Sequence, residues 1–376
     1  MKIAFTGGGT GGHFYPLIAV LEEVKNKAKE KGISDISFYF LSNTPYQKNT
    51  LDEYGVRFVR IPAGKIRTYF SIKNFLDFFV IGWGSLIALI KLLIIYPDVI
   101  FGKGGYASFP TLLAARILAI PVIIHDSDTV PGRVNKWAGR FAKKIAISWE
   151  EATNYFPANK TAVTGQPIRS LLKKPISSGS FEYFSFNSGI PVITVLGGSQ
   201  GAQRINDFIL DILPELVKKY QIIHQTGEAD FNNVTMRAKV IFQKQDGIER
   251  YRPFVFFTAE ELQRIAGITT LLVSRAGSGI LEFVEWKIPS ILIPIPENIS
   301  RDQQNNAYAF ARRGAGIVIE ENNLTSTIFL SEIERIIGDK KLYATMQESL
   351  SAMTSPNASN IIAQELIAIA ESHYAR

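Results

Sequence analysis

The stretch KIAFTGGGTGGH, residues 2–13, decides the fold of this chain. Its apolar start predicts a buried strand, and the glycines that follow predict a tight turn. Apolar residues then recur at helical spacing as far as Gly32, at Leu17, Val20, Leu21, Val24 and Ala28. A strand, a glycine turn and a helix in this order begin a βαβ unit. Because glycine lacks a Cβ, the N–H groups of such a turn can close on a phosphate, and the helix N-terminus adds unpaired donors.

A glycine turn follows an apolar run at two more places. PDVIF leads into Gly102-Lys-Gly-Gly105, and PVITVL leads into Gly197-Gly-Ser-Gln-Gly201. Other apolar runs predict strands at 36–41, 58–61, 122–124, 145–147, 222–223, 255–257, 271–273, 291–293 and 317–319. The repeated alternation of strand and helix predicts the α/β class, as two Rossmann-like domains facing a central cleft. We expect these domains at 1–163 and 164–356, with a helix at 357–376 that packs back on the first domain.

Composition narrows the classes of function. The 376 residues exceed what one core usually organises, and the chain has no cysteine, which excludes disulfides and thiolate chemistry. Four histidines are too few for a histidine-rich metal centre, and the net charge of +7 suits an anionic ligand or membrane surface. The basic residues are scattered and match no recognition motif, so we expect no nucleic acid as a partner. The N-terminus has no apolar core of the secretory type, which predicts a cytosolic location.

Residues 75–96, FLDFFVIGWGSLIALIKLLIIY, have nearly the length that spans a bilayer. They contain Asp77 and Lys91 and run straight into the next predicted strand. We therefore expect a helix that packs in the domain or lies at a membrane surface without crossing it. Aromatic and basic residues around it favour an anionic surface, namely Tyr69, Phe70, Phe75, Phe78, Phe79 and Trp83 with Lys65, Arg67, Lys73 and Lys91.

The first turn also matches the G-x-G-x-x-G fingerprint of dinucleotide-binding proteins, through Gly7, Gly9 and Gly12. That fingerprint requires an acidic residue after the second strand, where this chain has Ser42 and Asn43. A turn that faces a phosphate is therefore the better interpretation.

Several polar residues are candidates for chemistry at predicted strand ends. His13 begins a helix, where the dipole favours a neutral imidazole that can accept a proton; a histidine that merely caps the turn is the alternative. The carboxylates of His125-Asp-Ser-Asp128 are too few for a cation that prefers about six oxygens, so we favour contacts to sugar hydroxyls or a role in the loop. Arg169 could bind a diphosphate and Glu282 a ribose, although surface salt bridges explain such residues, and Arg275 beside them, equally well.

Eight segments together resemble the MurG family, the peripheral membrane transferases that make lipid II in peptidoglycan synthesis. In the family's order they are GGGTGGHFYPLIAV, GKGGYASFP, HDSDTVPGRVNKW, VTGQPIR, VLGGSQGAQRIN, HQTG, SRAGSGILEFVE and RDQQNNA. The family pattern usually reads His-Glu-Gln-Asn where this chain has His125-Asp-Ser-Asp128, so an amide expected to touch the donor sugar is replaced by the carboxylate of Asp128.

The resemblance implies a glycosyltransferase-B fold, UDP-N-acetylglucosamine as donor and undecaprenyl-diphospho-N-acetylmuramoyl-pentapeptide as acceptor. Transfer would form a β-1,4 bond with inversion, with no cofactor and no metal. His13 corresponds to the general base, with Asp126 as a second catalytic group. The implied substrate-binding residues are Thr10, Gly11, Gly12, Asp128, Arg169, Ser199, Phe257, Glu282, Gln303 and Gln304. The acceptor diphosphate would lie at Gly102, Gly104, Gly105 and Tyr106.

The resemblance further implies a peripheral location on the cytoplasmic face of the plasma membrane, a role in cell shape and division, and other cell-wall synthesis proteins as partners. Two rival functions stay open. One is another UDP-sugar enzyme of the same architecture, such as a glycolipid transferase or a UDP-N-acetylglucosamine 2-epimerase. The other is a non-catalytic sugar-nucleotide-binding scaffold.

Overall fold

The computed structural model describes residues 1–65, 72–198, 201–244, 246–297, 301–353 and 357–374. The chain divides into two compact units, which we call unit 1 (Met1–Arg169 with Ser355–Arg376) and unit 2 (Ser170–Thr354). The division falls after Arg169, whereas the sequence analysis places it after residue 163.

Unit 1 is built on a parallel sheet. Its strands are β1 (Lys2–Thr6), β2 (Ser37–Ser42), β3 (Val56–Arg60), β4 (Val99–Gly102), β5 (Val122–Asp126), β6 (Lys144–Ile147) and β7 (Thr161–Val163). They lie in the order β3-β2-β1-β4-β5-β6-β7. The central strands are nearly continuous apolar runs because helices cover both faces of the sheet.

Helices of unit 1 pack on both faces of this sheet. They are α1 (Gly11–Glu30), α2 (Lys48–Glu53), α3 (Ile72–Ile95), α4 (Phe109–Ile117) and α5 (Arg133–Ala138). Alternate residues of β1 enter different cores: Ile3 and Phe5 pack with α1, whereas Ala4 packs with Ala88 of α3 and Leu112 of α4. A helix from the end of the chain, Ala358–Tyr374, also packs against α1 and is held by a Lys31–Glu371 ion pair at 2.9 Å.

Unit 2 repeats this architecture with six parallel strands. They are β8 (Val192–Leu196), β9 (Gln221–Gln225), β10 (Tyr251–Phe254), β11 (Thr269–Ser274), β12 (Ser290–Leu292) and β13 (Gly316–Val318), in the order β10-β9-β8-β11-β12-β13. The helices are α6 (Ser180–Tyr183), α7 (Gln203–Lys219), α8 (Phe231–Ile241), α9 (Ala259–Ile268), α10 (Ile280–Trp286), α11 (Arg301–Arg312), α12 (Ser326–Gly338) and α13 (Lys340–Met353), so that Ala358–Tyr374 is α14.

Two strands differ from the sequence prediction. The strand expected at 255–257 lies at Tyr251–Phe254 and contains Pro253, which a sheet tolerates because β10 is an edge strand. The short strand β7 was not predicted, because Ala162 and Val163 are exposed at an edge of the sheet of unit 1 and show no alternation of apolar and polar residues. Both misses concern edge strands, where burial imposes the weakest pattern.

Candidate active site

Two glycine turns of unit 1 meet because β1 and β4 are neighbours in the sheet. The first turn, residues 7–10, connects β1 to α1, and the second, residues 102–105, begins at the last residue of β4. The N–H of Lys103 donates to the carbonyl of Thr6 at 2.9 Å. The strand order reverses at β1, and ligands of open parallel sheets bind at the carboxyl ends of strands at such a point.

Gly8 and Gly105 show why these turns need glycine. Gly8 has a φ of +126°, and an added Cβ would lie 2.8 Å from Oγ of Ser42. Gly105 has a φ of +78°, and an added Cβ would lie 3.2 Å from Nε2 of His13. The missing side chains therefore bring His13 up to the backbone of the second turn and leave that backbone open to a ligand.

The structure brings the predicted residues of both turns together at this edge: Thr10, Gly11, Gly12, His13, Gly102, Gly104, Gly105 and Tyr106. Thr10 precedes α1 without a side-chain capping bond, so its hydroxyl is not used to close the helix. The hydroxyl of Tyr106 accepts a hydrogen bond from Nδ2 of Asn43 at 3.2 Å.

His13 lies in the first turn of α1, and its backbone N–H donates to the carbonyl of Thr10 at 3.1 Å. Burial, followed by the positive charge of Lys103, lowers the pKa of His13 to about 4. Nδ1 of the ring is enclosed and has no hydrogen-bond partner in the part of the chain that the structure describes. The imidazole is therefore neutral at physiological pH, as a general base must be.

Lys103 is a residue that the sequence analysis left without a role. Its side chain is only 2% exposed, and Nζ donates a hydrogen bond to Oγ of Ser127. Burial lowers the pKa of Lys103 to about 8, while Asp126 and Asp128 act in the opposite direction. The position of a lysine inside a glycine turn could have marked it as a candidate functional residue. Only the fold shows that its ammonium points into the protein.

Asp126 ends β5 and organises the loop that follows. Its Oδ1 accepts the N–H of Asp128 at 2.9 Å, and its Oδ2 accepts Nδ2 of Asn135 at 2.8 Å and the N–H of Gly132 at 3.2 Å. Burial and the neighbouring Asp128 raise the pKa of Asp126 above its ordinary range. With both oxygens engaged in the loop, this carboxylate is better placed to position Asp128 than to remove a proton.

His125 is a core residue. Its Nε2 lies 2.9 Å from the carbonyl oxygen of Gly165, and burial holds its pKa well below the ordinary value. The same hydrogen-bond network includes Oγ of Ser127, which donates to Oε1 of Gln166 at 2.5 Å. These contacts fasten residues 165–166 to the end of β5.

Arg169 is the last residue of unit 1 before the division. Its guanidinium lies 4.2 Å from the centroid of the Tyr15 ring, on α1. Nε of Arg169 is buried and has no hydrogen-bond partner among the residues described here. A stacked guanidinium with an unused donor suits a bidentate anionic ligand.

In unit 2 the third glycine turn lies against the loop after β9. An added Cβ on Gly201 would lie 2.7 Å from the carbonyl oxygen of Thr226, so the two loops touch through backbone. Ser199, a predicted substrate-binding residue in this turn, lies outside the described residues. Asn206, which had no role predicted from the sequence, donates from Nδ2 to that carbonyl of Thr226 at 2.9 Å.

The other predicted residues of unit 2 follow β10, β11 and β12. The ring of Phe257 packs 5.1 Å from that of Phe254, centroid to centroid, and Oε1 of Gln303 accepts the N–H of Ile295 at 3.3 Å. Gln304 follows on α11, and Glu282 lies half-buried in the first turn of α10.

Arg275, considered beside these residues in the sequence, forms an ion pair within the protein. Its guanidinium pairs with Glu321 at 2.6 Å, and both side chains are 12% exposed. It also donates to the carbonyl of Ile293 at 3.1 Å. A mostly buried ion pair, rather than a ligand, therefore explains its position in this structure.

Acid should destabilise unit 2 through His224. This side chain is fully buried between Tyr251 and Asn206, at 2.9 and 3.1 Å, and burial lowers its pKa to about 3. The unfolded state binds a proton near the ordinary pKa of about 6.5, so stability is lost as pH falls from there, by at most about 1.4 kcal/mol per pH unit. In urea titrations between pH 7 and pH 4, His224→Gln should show a smaller loss of midpoint per pH unit than the parent chain. Equal slopes would mean that this histidine is not held neutral.

Comparisons with known proteins place these features in a class. Residues 3–147 match the model of the glycosyltransferase family 28 N-terminal domain, and residues 192–362 match that of the glycosyltransferase family 28 C-terminal domain. Together with the two parallel α/β units, these matches define a glycosyltransferase of the two-domain GT-B class. The predicted fold class of two Rossmann-like α/β domains is confirmed.

The chain is 36% identical over 346 residues to the UDP-N-acetylglucosamine--N-acetylmuramyl-(pentapeptide) pyrophosphoryl-undecaprenol N-acetylglucosamine transferase 2 of Bacillus cereus, covering 92% of this chain and 94% of that protein. It belongs to the family of these transferases, the MurG family, which confirms the resemblance drawn from the motifs.

Two solved structures support the fold alone. Acinetobacter baumannii MurG superposes with a TM-score of 0.69 at 22% identity, covering 97% of this chain and 98% of that one. A UDP-GlcNAc 2-epimerase from Neisseria meningitidis, solved with UDP-GlcNAc bound, gives 0.67 at 14% identity, covering 98% and 100%. Since the scores are nearly equal, the fold does not separate sugar transfer from epimerisation, and that distinction comes from the sequence relatives.

Proposed function

We propose that this chain transfers N-acetylglucosamine from UDP-N-acetylglucosamine to undecaprenyl-diphospho-N-acetylmuramoyl-pentapeptide, and so makes lipid II for peptidoglycan synthesis. The observation that carries the proposal is a neutral, half-buried His13 beside two glycine turns, in a chain of the MurG family. The turns suit an anionic diphosphate, and the imidazole suits a hydroxyl that must lose its proton.

In the proposed reaction the acceptor hydroxyl oxygen attacks the anomeric carbon of N-acetylglucosamine from the face opposite to UDP. The new C–O bond forms as the bond to UDP breaks, and the bonding electron pair leaves with the diphosphate, which inverts the anomeric centre. A ring nitrogen of His13 receives the hydroxyl proton.

We assign the other predicted residues to the stabilisation of negative charge and to substrate binding. Donors fixed before the reaction usually provide the largest single contribution to a rate enhancement of this kind. The second turn of unit 1 would hold the acceptor diphosphate, and the guanidinium of Arg169 would offer a further donor to a diphosphate. The third turn, in unit 2, would hold the diphosphate of the leaving UDP. Glu282 would accept hydrogen bonds from the ribose hydroxyls.

Radiolabelled UDP-N-acetylglucosamine, incubated with the full chain and with or without the lipid-linked muramoyl acceptor, tests the proposal. We expect labelled lipid and released UDP only when acceptor is present. An epimerase would instead convert the sugar nucleotide to its 2-epimer without any acceptor. A binding scaffold would retain the donor without either product, and each of these results would overturn the proposal.

The partners and the location that we propose rest on α3. Among the described residues, this helix alone is long and apolar enough to cross a bilayer by length and composition, and 17% of its most apolar window is buried. Apart from Lys91, its exposed side chains in the described part of the helix are apolar: Phe75, Leu76, Phe78, Phe79, Val80, Trp83, Leu86, Ile90, Leu93 and Ile94. A continuous exposed apolar face of this size is typical of a membrane or partner contact.

The opposite face of α3 is held by the domain. An added Cβ on Gly84 would lie 1.9 Å from the carbonyl oxygen of Pro62, so the helix backbone packs directly on that segment. Ala88 and Leu92 are completely buried on the same face. A helix packed along one side in this way suits a position in the membrane interface rather than a bilayer crossing.

We therefore propose a peripheral location on the cytoplasmic face of the plasma membrane, where the polyprenyl acceptor is embedded, with an anionic lipid surface as a partner. Lys65 and Lys91 are exposed near the apolar face and provide the positive charge. Arg67, Tyr69, Phe70 and the side chain of Lys73, also predicted to contribute, lie outside the described part of the chain. Other cell-wall synthesis proteins remain proposed partners.

A further inference from the structure

We propose that Lys103 is a positioning residue that balances the carboxylates of Asp126 and Asp128, so that the glycine turn 102–105 can accept a diphosphate. The inference rests on the proposed function, since that diphosphate would belong to the lipid-linked acceptor. It also gives a reason for the carboxylate at position 128, where the family pattern has an amide.

The geometry places the ammonium of Lys103 at the loop that carries both carboxylates. Lys103 follows the end of β4, and its Nζ donates to Oγ of Ser127, the residue between the two aspartates on the loop after β5. Strands β4 and β5 are paired, so the two loops are neighbours. At 2% exposure, Lys103 cannot lose its hydration without charged partners close by.

Hydrogen bonds of Asp126 fix the loop that carries both aspartates. Asp126 accepts the N–H of Asp128 and the amide of Asn135, which fixes both carboxylate-bearing residues in the loop. An added Cβ on Gly104 would lie 2.7 Å from Nδ2 of Asn135, so the same loop touches the turn that would bind the ligand. The negative charges are therefore adjacent to the proposed diphosphate position.

The charges of Lys103, Asp126 and Asp128 predict which substitutions should compensate each other. Around the turn, one lysine and two aspartates sum to −1, while the nearby His13 and His125 are neutral because their pKa values are lowered. Without Lys103 the two aspartates are left uncompensated, and their negative charge repels a diphosphate. If Asp128 is also replaced by asparagine, Asp126 alone restores −1, so the two substitutions should compensate.

The experiment compares Lys103→Met, Asp128→Asn and the double variant with the parent chain. Lys143→Met removes an exposed lysine as the matched control. At pH 7 we expect Lys103→Met to raise the KM for the lipid acceptor at least about tenfold, because breaking a buried charge cluster is costly. The double variant should regain most of the lost acceptor affinity. Asp128→Asn alone should lower the acceptor KM, because Lys103 and Asp126 then sum to zero. Lys143→Met should match the parent.

Thermal melting without ligand provides a readout independent of turnover. Lys103→Met should melt lower than the parent, and adding Asp128→Asn should restore the midpoint. The inference would be overturned if the double variant had an acceptor KM as high as that of Lys103→Met, or if it failed to fold as Lys103→Met did. Either result would show that the lysine serves packing alone. An unaffected Lys103→Met would also overturn the inference. If the parent chain itself transfers no sugar, the proposed function fails, while the melting series still decides whether the charges compensate.

Discussion

His13→Ala should lower kcat by about 10²–10⁴-fold, the usual contribution of a positioned general base. Donor affinity should change little, because in the proposed reaction the imidazole acts on the acceptor hydroxyl and not on the nucleotide. Initial rates with the lipid-linked acceptor and calorimetry with UDP-N-acetylglucosamine measure the two quantities separately. An unchanged kcat would remove His13 from the role of base.

The pH profile sharpens this prediction. A base must be unprotonated, and the pKa of His13 is lowered to about 4 by burial and by Lys103. The kcat/KM of the parent chain should therefore stay level as pH falls from 7 to about 5 and decline only through about 4. A decline near pH 6.5, where an ordinary histidine titrates, would contradict the environment described for His13.

Asp126→Asn provides the comparison, since the family resemblance also made Asp126 a catalytic candidate. Its carboxylate accepts hydrogen bonds from Asp128, Gly132 and Asn135. The amide can keep only part of these bonds, so this variant should lower the melting temperature, which His13→Ala should leave nearly unchanged. A loss of kcat as large as that of His13→Ala, at an unchanged melting temperature, would instead return Asp126 to a direct catalytic role.

Replacing Phe75, Phe79 and Trp83 of α3 by serine should weaken binding to anionic vesicles at least about 100-fold. Each of these side chains is at least 60% exposed in the free protein, and its transfer from water into the interface contributes roughly 1.5–3 kcal/mol. Co-sedimentation with vesicles that contain anionic lipid measures the effect.

Met236→Ser with Val240→Ser is the matched control, because these exposed apolar residues lie on α8 of unit 2. This control should bind vesicles like the parent chain. Lys65→Gln with Lys91→Gln should weaken the free energy of vesicle binding by about 1 kcal/mol per residue, and only when the vesicles contain anionic lipid. Binding that ignores both the α3 substitutions and the lipid charge would contradict the membrane proposal.

Motifs predicted the residues of the site better than their roles. Thr10, His13, Gly104 and Gly105 were named from the sequence, and they come together because β1 and β4 pair. Lys103 was passed over, since nothing in GKGG tells whether a lysine faces solvent or the core. Arg275 could not be distinguished from a ligand contact without Glu321, its partner 46 positions later in the chain.

The sequence by itself determined that this chain forms two α/β units with glycine turns after their strands and that it belongs to its family. These properties follow from local signals: apolar periodicity specifies strands and helices, and glycine at a turn is required by the backbone conformation of that turn. Only the tertiary structure decided which loops are neighbours, that Asp126 is occupied by its own loop, and that Lys103 is buried beside two carboxylates. Strand order and burial depend on contacts between residues far apart in the chain, and no local pattern records them.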